Sequence, residues 1–156
     1  MSIETFKQVE GRSVIASDSA ESIGTVKGFV LDAAGRRIEA VHVDGRGKHA
    51  HVVEWSTITA FGTDAVMVPS DSDRITVDGE HQKSAVKGNV TMIGSRVLTV
   101  EGRNVGVVDD VEFDTETGAV VRVLTDHEPI DAVIVRSLGS YAVIVDSVDS
   151  VEPSRR

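Results

Sequence analysis

Apolar and polar residues alternate along many short stretches of this chain, and no segment carries a long apolar stripe with helical spacing. Val111 and Phe113, for example, alternate with Glu112 and Asp114. Such alternation predicts strands that are buried on one face, and the glycine-containing segments between them predict turns. Several short strands at regular spacing are typical of a small barrel or sandwich, which leaves few strand edges open.

The same order of apolar and turn positions occurs twice. The segment from Gly11 to Ile15 resembles the segment from Gly94 to Leu98, and the correspondence continues to the turns at Gly62 and Gly139. The offset is 83 residues at the start and 77 near the end, so the second copy is shorter in a glycine-rich loop. The repeat predicts an all-β protein made of two tandem small β-barrels, packed as a pseudo-symmetric pair.

The repeat also predicts how the chain is divided. The expected units are residues 1–75 and 94–150, and the expected linker is 76–93, with a short helix around 84–87. A unit of about 60 residues is near the lower limit for independent stability, so the two units are expected to pack against each other.

Composition narrows the function classes. Aromatic residues make up 4 % of the chain, so the core must be aliphatic, and the absence of cysteine excludes disulfides, thiolate zinc sites and cysteine nucleophiles. No apolar run approaches the ~20 residues of a membrane-spanning helix, and the N-terminus lacks the pattern of a signal peptide. These features predict a cytoplasmic protein with no membrane insertion.

The formal net charge is -9, which opposes attraction to nucleic-acid phosphates unless the few cations are gathered in one patch. No such patch is visible in the sequence. The basic pairs Arg36-Arg37 and Arg155-Arg156 are short and are interpreted as solvated. Direct binding of nucleic acid is therefore not expected.

Four acidic residues share one face of a predicted strand and its turn. They are Asp110, Glu112, Asp114 and Glu116, and we call them the acidic stripe. The plain interpretation is the solvent side of a hairpin, while the functional one is a docking surface for a basic partner or a cation. The acidic stripe is the first candidate for a partner-binding surface.

The first copy has Gly28 and Val30 where the second has Asp110 and Glu112. This nearly uncharged face predicts that Val30 is covered by the second unit or by another subunit. A homodimer is compatible with this expectation.

Motifs for catalysis and metal binding are weak. His49 and His51 lie two residues apart, but a tight zinc or nickel site needs three or four ligands, so they are weak metal candidates and no cofactor is predicted. There is no nucleophile elbow, no credible triad spacing and no phosphate-binding loop, so an enzyme is not predicted. Trp55 is interpreted as an anchor in the core or at the end of a barrel.

Two segments, residues 97–114 and 55–66, resemble the opening hairpin and the closing segment of the PRC-barrel family, and the resemblance extends over nearly the whole chain, twice. It implies compact β-barrels used as interaction modules, of the stand-alone prokaryotic type. The family shares no catalytic residues, so none is transferred to this chain. Relatives include ribosome maturation factors, but the additional domain of those proteins is not present in this sequence.

These observations favour a non-catalytic module for protein interaction or scaffolding, which acts by surface complementarity with a protein partner, a basic one being the first candidate. Two alternatives stay open. One is a factor that assists ribosome or RNA assembly, and the other is a protein that binds a small ligand or a metal. The same barrel fold can bind many kinds of ligand, so the fold alone does not identify the ligand.

Overall fold

Two β-sheets form most of the molecule, and the computed structural model describes residues 2–45, 47 and 49–147. The chain begins with strand β1 (Ile3–Thr5) and helix α1 (Phe6–Val9). The first unit then contributes β2 (Ser13–Ala16), β3 (Glu21–Leu31), β4 (Ile38–Asp44), β5 (His51–Glu54), β6 (Ala60–Phe61), β7 (Ala65–Val68) and β8 (Ile75–Thr76). Helix α2 (Gly79–Val86) follows. The second unit contributes β9 (Arg96–Thr99), β10 (Asn104–Asp114), β11 (Val120–Thr125), β12 (Ile130–Asp131), β13 (Val135–Leu138) and β14 (Val143–Val145).

The two units have the same topology, which confirms the predicted tandem all-β architecture. The strand order is β6-β7-β2-β3-β4-β5-β8 in the first sheet and β12-β11-β10-β9-β14-β13 in the second. In each unit the opening strand pairs in parallel with the last long strand, β2 with β7 and β9 with β14. A bulge interrupts β3 at Lys27 and β10 at Asp109, which are equivalent positions of the repeat.

Two reciprocal hydrogen bonds join the hairpin turns of the two units. The Ile38 amide donates to the Gly118 carbonyl at 2.8 Å, and the Val120 amide donates to the Arg36 carbonyl at 2.9 Å. Ile38 pairs with Leu31 and Val120 pairs with Phe113, so the strand register makes Ile38 equivalent to Val120 and Arg36 equivalent to Gly118, one residue away from the match of Ile38 with Val121 that the sequence suggests. The bonds are therefore related by a pseudo-twofold axis, as predicted for a pseudo-symmetric pair.

Gly118 shows why a side chain is excluded at this junction. Its φ is +79°, and a Cβ there would lie 2.9 Å from the ring of Trp55 in the other unit. Trp55 is thus an anchor at the junction of the two units.

Five of the six aromatic residues form one cluster between the units. Phe113 of the second unit is fully buried at its centre, and its ring centroid lies 5.5 Å from that of Phe6, 5.6 Å from Phe29, 5.5 Å from Phe61 and 6.5 Å from Trp55. Tilted and edge-to-face rings add to the free energy gained by burial. The aliphatic side chains of both units continue this cluster, so the molecule has one main core.

Strand β1 does not join the sheet of the first unit. It pairs antiparallel with the end of β10, where Glu4 lies opposite Phe113, and the Thr115 amide donates to the Ser2 carbonyl at 2.8 Å. The repeat assigned the residues before Gly11 to the first unit, but it carries no information about this pairing. The first ten residues thus tie the two units together.

Helix α2 differs from the helix expected around 84–87, because it begins earlier and spans Gly79–Val86. None of its residues is fully buried, and Ala85 and Val86 provide its apolar contact with the first sheet. No helix in the described part of the chain has both the length and the apolar composition needed to cross a membrane.

Candidate functional site

The outer face of β3, on the side of the sheet away from the main core, is apolar in the first unit. Val30, Ala40 and Val52 form a separate buried cluster, and Val30 is 0 % exposed. Ala85 and Val86 of helix α2 pack against it together with Val77. The expectation that Val30 is covered is confirmed, but the cover is the linker rather than the second unit or another subunit.

The equivalent face of β10 carries charges in the second unit. Glu112 and Arg122 stand at the positions of Val30 and Ala40, and they form an ion pair across β10 and β11, with Arg122 Nε 2.8 Å from Glu112 Oε1. This pairing raises the pKa of Arg122, first through the hydrogen bond to Glu112 and then through its charge. Glu112 and Arg122 need no helix to cover them, since their polar atoms already have partners.

Asp110, Glu112 and Asp114 of the acidic stripe lie on one side of β10, as the alternation predicted, with Val111 and Phe113 buried on the other, and Glu116 follows in the turn. The carboxylates of the stripe have partners within the molecule. Asp110 Oδ1 accepts from the amides of Lys7 at 3.1 Å and Val111 at 2.8 Å, and Asp114 accepts from the Glu116 amide at 2.8 Å. The stripe therefore stabilises the hairpin and the start of α1, and its role as a docking surface stays a prediction.

A cavity of about 590 Å³ opens beside β3, between α1 and α2, and we call it the edge cleft. Its lining includes Lys7, Lys27, Gly28, Phe29, His42 and His81. Gly28 takes the place of Asp110 of the second unit, and a Cβ built on it would meet nothing within 4 Å. The missing side chain at Gly28 therefore leaves this part of the cleft open.

A second cavity of about 720 Å³ adjoins the edge cleft, and we call it the loop cleft. It shares Lys27 and His42 with the edge cleft, and its further basic lining is His49, His51, Lys83 and Lys87. The two clefts together contain four of the five lysines and four of the five histidines of the chain. Their only acidic lining residues among those described are Glu10 and Asp44.

This arrangement brings four of the sixteen Lys and Arg residues of the chain to two adjoining clefts, which the sequence did not indicate, although no arginine among the described residues lines either cleft. The lysines come from α1, β3 and the linker, so their proximity depends on the fold and not on their spacing along the chain. The pair Arg36-Arg37 does lie apart from the clefts, and Arg155-Arg156 lies outside the described residues. A molecule with a net charge of -9 thus has a basic concavity on its first unit.

His42 is the titratable group at the boundary of the two clefts. Burial lowers its pKa and the nearby charge of Lys27 lowers it further, while Asp44 raises it. His42 is therefore neutral near neutral pH, where it can donate or accept a hydrogen bond. An anion that entered the cleft would favour its protonated form.

The weak metal candidates, His49 and His51, lie on the wall of the loop cleft. Within residues 2–45, 47 and 49–147, no group of three or more His, Cys, Asp or Glu side chains is placed so that it could hold a metal ion. Chemically, the clefts offer ammonium and imidazole donors, which suit carboxylates or other anions.

Sequence reasoning missed the clefts because their basic residues are far apart in the chain. One signal pointed toward them: Gly28 and Val30 leave an uncharged outer face that requires an apolar cover, and Ala85-Val86 is an apolar pair within the predicted helix of the linker. Placing that pair on that face would have brought Lys83 and Lys87 close to Lys27.

Comparison with curated proteins finds no match. Comparison with protein families gives one result: the PRC-barrel domain matches residues 1–78 and again residues 89–150. Apart from β1, which pairs with the second sheet, the two matches correspond to the two sheets, and they confirm the resemblance inferred from the repeated motifs. The chain therefore belongs to the PRC-barrel domain family, of which it carries two units in tandem.

Proposed function

We propose that this protein is a non-catalytic interaction module that binds an acidic segment of a partner protein in the edge cleft and the loop cleft. The observation that carries the proposal is the concentration of lysine and histidine side chains in these two clefts of an acidic molecule. Electrostatic complementarity of this kind guides association and selects partners.

The contacts of the acidic stripe favour the two clefts over the stripe as the binding surface. Asp110, Glu112 and Asp114 already accept hydrogen bonds within the molecule, so a basic partner would have to compete with these bonds. The lysines of the clefts surround an open volume instead. Binding of an acidic segment would place carboxylates near them with little rearrangement.

The probe for testing this proposal is a fluorescent peptide that alternates acidic and apolar residues, Glu-Ile-Glu-Val-Glu-Thr. Anisotropy titration at low salt is expected to show binding that weakens as salt is added. Lys27→Glu should weaken binding by about tenfold or more, since it replaces an attraction by a repulsion.

The matched control is Arg96→Glu. It changes the net charge equally, and Arg96 lies over the ring of Tyr141 in the second unit, outside both clefts. Arg96→Glu should retain affinity within about twofold. Equal losses in the two variants would show attraction to the net charge alone and would contradict the proposed site.

A further inference from the structure

The two long strands, β3 and β10, use their outer edges differently. The edge of β10 near Phe113 is occupied by β1, with Glu4 opposite Phe113. Leu31 is equivalent to Phe113 and Phe29 is equivalent to Val111, and no described segment pairs with β3 at these two residues on that side. An unpaired strand edge presents main-chain donors and acceptors that can bind another strand.

The direction of the main-chain groups on β3 follows from the hydrogen bond of Asp32. Its amide donates to the Arg37 carbonyl at 3.0 Å, toward β4. Main-chain groups alternate along a strand, so those of Phe29 and Leu31 point away from β4 and toward the open edge. The Leu31 carbonyl is already hydrogen-bonded to His81 Nε2 at 2.7 Å. The main-chain N–H and C=O of Phe29, which lines the edge cleft, are therefore the groups to which an added strand could bind.

The second unit closes the equivalent position with a side chain. There the Val111 amide donates to Asp110 Oδ1 at 2.8 Å. Gly28 replaces Asp110 in the first unit and has no side-chain acceptor to offer to the Phe29 amide. The same position of the repeat is thus closed in one unit and open in the other.

From this contrast, and resting on the proposed function, we infer that the acidic partner segment binds as an added β-strand on the edge of β3, paired with the main chain of Phe29. The chain itself contains a related case two residues further along, since the three residues of β1 pair with β10 around Phe113, the equivalent of Leu31, with Glu4 at the centre. An added strand uses its main chain for affinity and its alternate side chains for specificity.

The lining of the edge cleft fits such a segment. Lys27 and His42 can meet acidic side chains, and Val86 and Val90 can meet apolar ones. Because Leu31 is already bonded to His81, the added strand would be short, as β1 is.

The first test changes one position of the protein. Gly28→Asn introduces a neutral side chain with the acceptor that Asp110 provides in the second unit, and Gly28→Ala introduces a methyl group with no acceptor. Both have space, since nothing lies within 4 Å of a Cβ at Gly28, and its φ lies outside the left-handed region. Gly28→Asn should weaken binding of the peptide Glu-Ile-Glu-Val-Glu-Thr about threefold to tenfold, the equivalent of one hydrogen bond, while Gly28→Ala stays within about twofold.

The second test changes the main chain of the peptide. A series in which each amide in turn is N-methylated should bind in an alternating pattern, because only every second amide of an added strand faces β3. Equal effects at all positions, together with unchanged affinity in Gly28→Asn, would overturn strand addition. If Lys27→Glu still abolished binding in that case, the proposed function would stand without it. If the unmodified peptide failed to bind at all, both proposals would fall.

Discussion

The outer faces of β3 and β10 are built on the same backbone and have opposite surfaces. In the first unit Val30 and Ala40 are buried beneath helix α2, whereas in the second unit Glu112 and Arg122 form an ion pair in contact with solvent. Burial of a valine side chain contributes about 1.5–3 kcal/mol, whereas an exposed ion pair contributes about 0–1 kcal/mol. The apolar face of β3 therefore holds helix α2 in place, whereas the charged face of β10 is stable in water without a covering helix.

This difference also decides where basic residues of the linker are placed. Helix α2 brings Lys83 and Lys87 to the first unit, where they join Lys27 at the clefts. A few replacements on one face of a duplicated fold thus decide which copy acquires a basic concavity. The inner faces are not divided in this way, since both units contribute to one core around Phe113.

The largest expected effect is a loss of stability when the core shared by the two units is disrupted. Phe113→Ala should destabilise the protein by about 3–5 kcal/mol, because it removes the ring at the centre of the shared aromatic cluster. Urea denaturation followed by circular dichroism should show a single transition. Tyr141→Ala, at a side chain that is 68 % exposed, is the control and should change stability little. Two separate transitions in wild-type protein would contradict a shared core.

The next prediction concerns substitutions that make the outer face of β3 resemble that of β10. Val30→Glu should lower the free energy of unfolding by about 2–3 kcal/mol, because it removes buried apolar surface and places a charge beneath α2. The carboxylate can reach solvent only if α2 leaves the sheet. Hydrogen exchange of the amides of Gly79–Val86 should accelerate. Adding Ala40→Arg, which supplies the equivalent of Arg122, should recover part of the loss but not the protection of the helix. Unchanged exchange in the helix would show that the apolar face does not hold it.

A smaller effect is expected on the charged face itself. Glu112→Ala and Arg122→Ala should each reduce stability by less than about 1 kcal/mol, and the double-mutant cycle should give a coupling of about 0.2–1 kcal/mol. Thermal denaturation at low and high salt measures both quantities. A coupling as large as the loss in Val30→Glu would remove the energetic contrast between the two faces.

The smallest effect concerns His42. Its pKa is lowered in the folded protein from the ordinary value of 6.5, so between the two values the unfolded chain binds more protons than the folded one. Stability therefore falls as the pH drops through this window. His42→Gln should lose less stability than wild type between about pH 7 and about pH 5, as read from urea midpoints. The same loss in both proteins would contradict a lowered pKa at this cleft residue.

Particular residues show how far the sequence was informative. The alternation around Val111 and Phe113 gave the correct faces of β10, and the repeated turns gave the two units, because strand periodicity and turn residues are local signals. The pairing of β1 with β10 was not predictable, since three residues contain too little pattern to choose between two sheets. The cluster of Lys7, Lys27 and Lys87 was not predictable either, because it arises from the docking of α1 and α2 on β3. The ion pair of Glu112 and Arg122 was not predictable from the acidic pattern, because it depends on the register between β10 and β11.

The two equivalent faces differ, and under the proposed function the first unit has a binding surface while the charged face of the second is self-contained. Amide chemical-shift mapping during titration with the peptide Glu-Ile-Glu-Val-Glu-Thr tests this most directly. This difference predicts that the changes concentrate in residues 27–31, at His42 and in residues 81–87, with the equivalent residues 109–113 unaffected. Changes centred on the acidic stripe, or spread equally over both units, would contradict it.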